Sequence, residues 1–325
     1  RCELKIRERQ RGAALVVAML VFAVSASLVV AMQDDFMRFF QRSANILMAE
    51  QAYAYLRGAE ELAGMALLYD YDQDKANETP RDDLGEVWAK PPQPYAIDDG
   101  GWMIGKMEDL QGRFNLNALA ERVDSQDGRR VFTPAQAQFI RLLQALGEPE
   151  VSEYEAILIT EAVTDWLDAD RNPGPDGAED DYYYGRDPAY RAANRPMASP
   201  SELLAVANMT PEIYQALLPW VTVWPERPEP LNIHTAPAII LRTINVPEDL
   251  SPLSEADGES LVSYREEEGF ADIKDFLANP VFEGKDKQKL QELARGGLLG
   301  QSTSYFLLSA ELELADRNMR LYSVL

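Results

Sequence analysis

Hydrophobic positions along the chain change their rhythm three times. From Ala13 to Met32 it reads AALVVAMLVFAVSASLVVAM, without a charge or a proline. At about 1.5 Å of helical rise per residue, that run is long enough to cross a bilayer core of ~30 Å. Apolar residues then recur at steps of three and four: Phe36, Phe39, Phe40, Ile46, Leu47, Ala52, Tyr55, Leu56, Ala59, Leu62, Ala63 and Ala66. No proline falls between Ala13 and Tyr71, so the spacing predicts one very long helix to about Leu68, membrane half first and amphipathic half second. A membrane anchor that bends near Gln33 to Asp35 before a separate segment is the alternative.

The stretch from Asp70 to Asp99 is polar and carries Pro80, Pro91, Pro92 and Pro94, which predicts a loop with at most one short helix at Leu84 to Trp88. Gly101 to Asp109 alternates as a strand, and after a turn at Gln111-Gly112-Arg113 either Asn115 or Asn117 is placed to cap a helix. Helices then dominate. One starts at Thr133-Pro134 with Phe139, Leu142, Leu143 and Leu146 on its buried face before Gly147, and a second runs from Glu153 to Leu167. Further capped starts stand at Ser199-Pro200 and Thr210-Pro211. Gly296 to Gly300 breaks the helical region, and Ser304 to Leu314 and Met319 to Leu325 form a hairpin about a turn at Ala315 to Asn318. The fold class is therefore α+β: a long N-terminal helix packed on a small antiparallel sheet, with a large all-helical domain inserted between strands. The segments are 13–32 for the membrane part, 33–112 for helix, loop and first strand, 113–300 for the insertion and 301–325 for the hairpin.

Charge narrows the function. The 325 residues carry a net charge of −23, which argues against nucleic acid and anionic lipid headgroups as partners and favours binding of a cation, calcium before others. The exception is the N-terminal leader, where Arg1, Lys5, Arg7, Arg9 and Arg11 outweigh Glu3 and Glu8, so the N-terminus stays cytoplasmic and the bulk lies outside. The single cysteine, Cys2, falls in that leader and precedes the apolar run, which suits neither a disulfide nor lipidation. With one histidine, His234, and no phosphate-cradling glycine loop, an enzymatic constellation is not expected.

The strongest chemical signal is Asp165-Trp166-Leu167-Asp168-Ala169-Asp170-Arg171-Asn172, continuing to Asp181. Asp168, Asp170 and Asn172 stand at the first, third and fifth places of a calcium loop and Glu179 at the twelfth, where it can give a bidentate carboxylate. Pro173 occupies the sixth place, which an EF-hand reserves for glycine, with Gly174 one place late, and no immediate helix signal follows. The ligand chemistry is that of calcium without the EF-hand geometry; a solvated acidic turn is the rival reading.

Asn232 to Pro237, with Ser263-Tyr264-Arg265 and Gly269 to Leu277, resembles the helix-hairpin-helix modules of DNA-uptake proteins. The hairpin position here is Asn245-Val246-Pro247-Glu248-Asp249, with no glycine and two carboxylates, so a module kept for protein packing is expected and nucleic-acid binding is not.

Gln10-Arg11-Gly12 followed by Ala13-Ala14-Leu15-Val16-Val17 resembles the leader of a type IV prepilin or type II secretion pseudopilin. The resemblance implies a pilin-like fold, a leader over residues 1–12 cut between Gly12 and Ala13, and a helix that stays on the mature protein. Most such proteins carry a glutamate at the fifth mature residue to pair with a neighbour's amine; here it is Val17. That departure is similar to the K-type minor pseudopilin of the type II secretion system, as is Asp109-Leu110-Gln111-Gly112-Arg113-Phe114-Asn115-Leu116-Asn117 at the head of the insertion. Asp165 to Tyr183 looks like the calcium-binding segment of that family, and Tyr190 to Met197 like its continuation. The family implies one or two calcium ions held by Asp168, Asp170, Glu179, Asp180 and Asp181, with Asn172, Asp165 and Asp187 as further candidates. It also implies a single-pass inner-membrane protein with a periplasmic bulk. Its partners would be other minor pseudopilins, the prepilin peptidase and the inner-membrane secretion platform, and its place the pseudopilus tip. A membrane-anchored periplasmic calcium-binding protein is the rival, separated by whether the leader is cut.

Overall fold

In the computed structural model, residues 6–77, 80–97, 100–123, 130–314 and 317–325 are described. Residues 1–5 of the expected leader, with Cys2, and residues Ala315-Asp316 of the expected hairpin turn lie outside them. Helix α1 runs without interruption from Ile6 to Asn77, so the bend near Gln33 does not occur. It also continues past Leu68, where a loop was expected to begin at Asp70. Neither glycine nor proline intervenes before Pro80, and Asp70 is buried, so packing carries the last turns through a polar stretch.

The strands are β1 (Tyr95–Ile97), β2 (Gly101–Asp109), β7 (Phe306–Leu314) and β8 (Arg317–Val324), in the spatial order β1-β2-β7-β8. Strand β1 was not expected; it pairs antiparallel with β2 in the register Tyr95 to Met103 and Ile97 to Gly101. Along β7 the alternation is regular, with Phe306, Leu308, Ala310, Leu312 and Leu314 buried.

The chain divides into two units. The first comprises Arg1–Ala59, Pro94–Met103 and Glu311–Arg320. Within it Ala52, Leu56 and Ala59 form the buried face of α1, and Arg317 donates to Asn45 Oδ1 at 2.5 Å. Gly101 is required here, because a Cβ would run into the Glu313 carbonyl.

The second comprises Glu60–Gln93, Ile104–Ala310 and Leu321–Leu325 and holds the insertion. After β3 (Phe114–Asn115) a 3-10 turn at Leu116–Ala120 is capped by the Asn115 side chain. Helices α2 (Pro134–Ala145) and α3 (Glu153–Leu167) each start on a reciprocal capping box, Thr133 with Gln136 and Ser152 with Glu155. Phe139, Leu142, Leu143, Ile159, Ala162 and Val163 are buried from these two helices into one core. Next come α4 (Asp180–Tyr184), α5 (Pro211–Leu217), β4 (Val221–Thr222) and β5 (Leu231–Asn232). They are followed by α6 (Ala238–Leu241), α7 (Glu255–Glu267), α8 (Ile273–Ala278), α9 (Lys287–Arg295) and β6 (Leu299–Gly300). The insertion is mainly helical, but two short parallel ladders, β3 with β4 and β5 with β6, run through it. The start at Ser199 gives a 3-10 turn, Pro200–Ala205, instead of an α-helix; of its six residues only Leu203 is buried, too little to extend it.

Side-chain amides and one buried acid tie distant parts of this unit together. Asp109 accepts from Thr235 Oγ1 at 2.5 Å, Thr303 Oγ1 at 2.7 Å, Asn232 Nδ2 at 3.1 Å and the Gln111 N–H at 2.6 Å. Gln111 in turn donates to Pro230 O and Ser302 O and accepts from the Ser304 N–H. Buried Arg141 donates to the carbonyls of Asp249, Thr243 and Val246, gripping the hairpin of the helix-hairpin-helix-like segment from below.

Candidate metal centre

The acidic loop hangs between α3 and α4. Asp168 is the last residue to bond back into α3, its N–H reaching Thr164 O at 3.0 Å, but its own ψ of 163° turns the chain outward. Two acids on the preceding turn hold the loop backbone. Asp165, fully buried, accepts the Gly174 N–H at 3.1 Å and pairs with the Arg122 guanidinium; Glu161 accepts the Asp176 N–H at 3.1 Å and pairs with Arg130 at 3.2 Å. Gly177 lies so close to the Asp165 carboxylate that a Cβ there would collide with it.

Within this frame Asp168, Asp170 and Glu179 converge, each with a carboxylate oxygen within 4.8 Å of the others. Asp170 Oδ1 accepts the Asn172 N–H at 2.7 Å, closing the turn, while Asp168 Oδ2 takes Arg122 Nε at 2.9 Å. Glu179 caps α4 through the Asp180 N–H, so a helix does follow the loop directly, contrary to the reading of Asp180 to Gly185 from sequence. A cap formed by a glutamate in extended backbone left no local sequence signal.

Three buried oxygens here have no hydrogen-bond partner: Asp168 Oδ1, Glu179 Oε1 and Asn194 Oδ1. Asn194 sits at a left-handed φ of 46°, donates from Nδ2 to the Asp170 carbonyl at 2.5 Å and bonds through its N–H to Trp166 O. Burial and the neighbouring carboxylates push the Asp168 and Glu179 carboxyls above their ordinary range, against the pull of Arg122 on Asp168 and of the Asp180 N–H on Glu179. An unpaired buried acceptor costs about 1–3 kcal/mol. Oxygen-only donors, negatively charged and unsatisfied, fit a hard cation of the calcium type.

Of the other residues singled out from sequence, Asp180 spends one oxygen on the Ala192 N–H at 3.2 Å, and Asn172, Asp181 and Asp187 are exposed. Asp165 is committed to Arg122 and Gly174. Asn194 falls in the Tyr190 to Met197 segment that resembles the continuation of the family's calcium-binding segment, but it was not singled out by itself, because only tertiary packing brings its side chain to the loop. Gly12, Ala13 and Val17 lie on α1, exposed.

A second group of acids, Asp70, Asp82 and Glu86, also converges within 4.8 Å and went unnoticed in the sequence. Glu86 accepts Trp88 Nε1 at 2.6 Å and Asp82 accepts the Thr303 N–H at 2.6 Å. Burial is the main cause that pushes Glu86 up to about 8 and Asp82 up to about 6; none of the buried oxygens in this group lacks a partner among the described residues. His234 is buried, with its pKa lowered by that burial.

A long apolar N-terminal helix, a small antiparallel sheet and a large insertion define a pilin-like subunit. Models of the family "Type II secretion system (T2SS), protein K" match residues 112–226 and 231–294. Type II secretion system protein K of Pseudomonas aeruginosa is 36% identical, with 98% of this chain and 90% of that protein covered; the Pectobacterium carotovorum protein is 32% identical, with 98% and 93% covered. The solved GspK-GspI-GspJ complex from enterotoxigenic Escherichia coli contains a chain similar to this one at a TM-score of 0.73 and 28% identity, over 87% of this chain and 93% of that one. The chain belongs to the type II secretion system protein K family and is a minor pseudopilin of that system. Its long apolar N-terminal helix fits a single-pass membrane anchor.

Proposed function

We propose that this subunit caps the tip of the type II secretion pseudopilus and helps start its assembly, for export of folded proteins across the outer membrane. The observation that carries the placement is Val17. In a filament shaft each subunit meets a neighbour's N-terminal amine, and a carboxylate in lipid is tolerable only when so paired. An apolar residue at that position suits a subunit with no neighbour above it. The complex solved for the Escherichia coli relative supports two other minor pseudopilins as its partners. The peptidase cuts between Gly12 and Ala13, the N-terminus faces the cytoplasm and the insertion stands in the periplasm. The intact mass of protein extracted from cells with and without prepilin peptidase tests this. Loss of residues 1–12 with methylation of Ala13, only when the peptidase is present, is expected; an uncut chain in both strains leaves an ordinary anchored protein.

The acidic loop takes calcium as a structural staple. Asp168, Asp170 and Glu179 hold the ion, Asn194 Oδ1 adds a neutral oxygen, and Asp180, Asp181 and Asn172 stand beside them. The three unpartnered oxygens support this assignment. Bound there, the cation neutralises carboxylates that otherwise repel and closes the loop between α3 and α4. Calorimetric titration of the chelator-treated protein should show saturable binding; a flat titration would rule the staple out.

A further inference from the structure

The second unit contains a cavity of about 540 Å3 that shares no lining residue with the acidic loop. Strand β3, the first turns of α2, the end of α9 and the loop after β4 form its walls. That loop is held at both ends by side-chain amides: Asn115 Nδ2 donates to Pro225 O at 2.7 Å and Gln111 Nε2 to Pro230 O at 3.1 Å. Pro134, Pro225, Pro228 and Pro247 line the space, so much of the wall is stiff and offers no N–H of its own. Trp224 remains 46% exposed on it.

Two features say what would fill this space. Gln138 lines it, is only 3% exposed, and its Nε2 has no hydrogen-bond partner. The amide is sealed into the wall with no partner inside the fold, so a turn of the Gln138 side chain is needed for it to meet an acceptor brought into the cavity. The charged lining is Glu121, Glu229, Glu248 and Glu292 against Arg113 and Lys289. Both cations are already engaged, Lys289 with Glu248 and Arg113 with Glu108, which leaves the cavity acidic.

We propose that this cavity binds an extended peptide segment of a partner protein, with an apolar side chain against Trp224 and the prolines, a main-chain carbonyl on Gln138 Nε2, and a basic residue beside Glu121 and Glu229. A peptide supplies a carbonyl beside every side chain, which is what one open donor in a half-apolar groove requires. A ligand carrying its own carboxylate is repelled by the lining. The walls are preformed, so little ordering opposes binding on the protein's side. This site does not depend on calcium or on the tip placement.

The test uses the full chain in lipid nanodiscs, labelled with 5-fluorotryptophan, whose 5 tryptophans give separate fluorine signals. Trp224→Phe assigns the signal of interest. Two synthetic peptides share one apolar core and differ only in lysine or glutamate flanks; indole serves as a small apolar control. The lysine-flanked peptide should shift the Trp224 signal saturably while the other four stay in place, and the glutamate-flanked one should bind about tenfold more weakly. Gln138→Leu should weaken binding about tenfold without lowering thermal stability, because it removes an unpaired donor at similar volume. Glu121→Lys with Glu229→Lys, both at exposed positions, should reverse the preference between the peptides. No saturable shift, equal affinity for both peptides, or a Gln138→Leu protein that is destabilised or binds as before would overturn the proposal. So would saturation by indole with no binding of either peptide, which would mark the cavity as a small-molecule site.

Discussion

Replacing Asp168 by Asn separates the calcium staple from the fold it closes. Asp168 has one oxygen on Arg122 and one without a partner, and it shares its space with Asp170 and Glu179. Asparagine keeps an acceptor for Arg122, which retains Asp165, and removes one of three converging charges. Without calcium the variant should therefore match the parent to within about 1 kcal/mol. With calcium the two part company. At free calcium 100 times its dissociation constant, the parent gains about 2.7 kcal/mol. If losing the carboxylate weakens the site about 100-fold, the variant gains only about 0.4 kcal/mol under the same conditions. At about 2–4 °C per kcal/mol, the melting temperature of the parent should rise about 5–11 °C with calcium and that of the variant by about 1–2 °C. Differential scanning calorimetry with chelator and with calcium reads all four values. Equal calcium shifts in the two proteins, or no shift in the parent, would refute the reasoning.

Three further outcomes follow from the geometry. Gly177→Ala should destabilise by about 1–3 kcal/mol in urea unfolding even with chelator present, since the new Cβ must displace the Asp165 carboxylate. Arg141→Met should cost about 3 kcal/mol or more by the same assay, because it strands three carbonyls of the 243–249 hairpin. Glu86 and Asp82 have folded-state values raised to about 8 and about 6, so the stability they contribute is full below about 4 and is lost as pH rises through those values. Glu86→Gln should accordingly raise the melting temperature at pH 9 relative to the parent and change it little at pH 4; an equal effect at both would exclude the linkage.

Elements whose signals are local are legible in the sequence itself. Helix α3 matches its sequence limits at both ends because Ser152 and Glu155 cap it and Asp168 leaves it, and β2 and β7 follow from plain alternation. What stayed hidden depends on distant partners. Strand β1 has three residues and exists through β2; the last turns of α1 exist because Asp70 is buried; the two-residue ladders have no pattern to display. The same division runs through the acidic loop. Asp168, Asp170 and Glu179 stood out by spacing, whereas Asn194 is brought in by backbone that only the assembled loop enforces. Asp181 and Asn172, equally prominent in sequence, are exposed, since spacing does not say which way a side chain turns.

The knot of bonds around Asp109 and Gln111 also sets a timetable for biosynthesis. Their partners include Thr235, Pro230, Ser302, Thr303 and Ser304, and the Leu110 N–H reaches Tyr305 O. A chain emerging N-terminus first therefore exposes β2 long before β7, its neighbour in the sheet, has been made. The insertion must collapse first, which shortens the loop left to close and lowers its entropic cost. Until the last residues arrive, the edge of β2 that β7 will cover is open and vulnerable to wrong pairing. Truncation near residue 300 would thus leave the helical core made and the sheet unfinished.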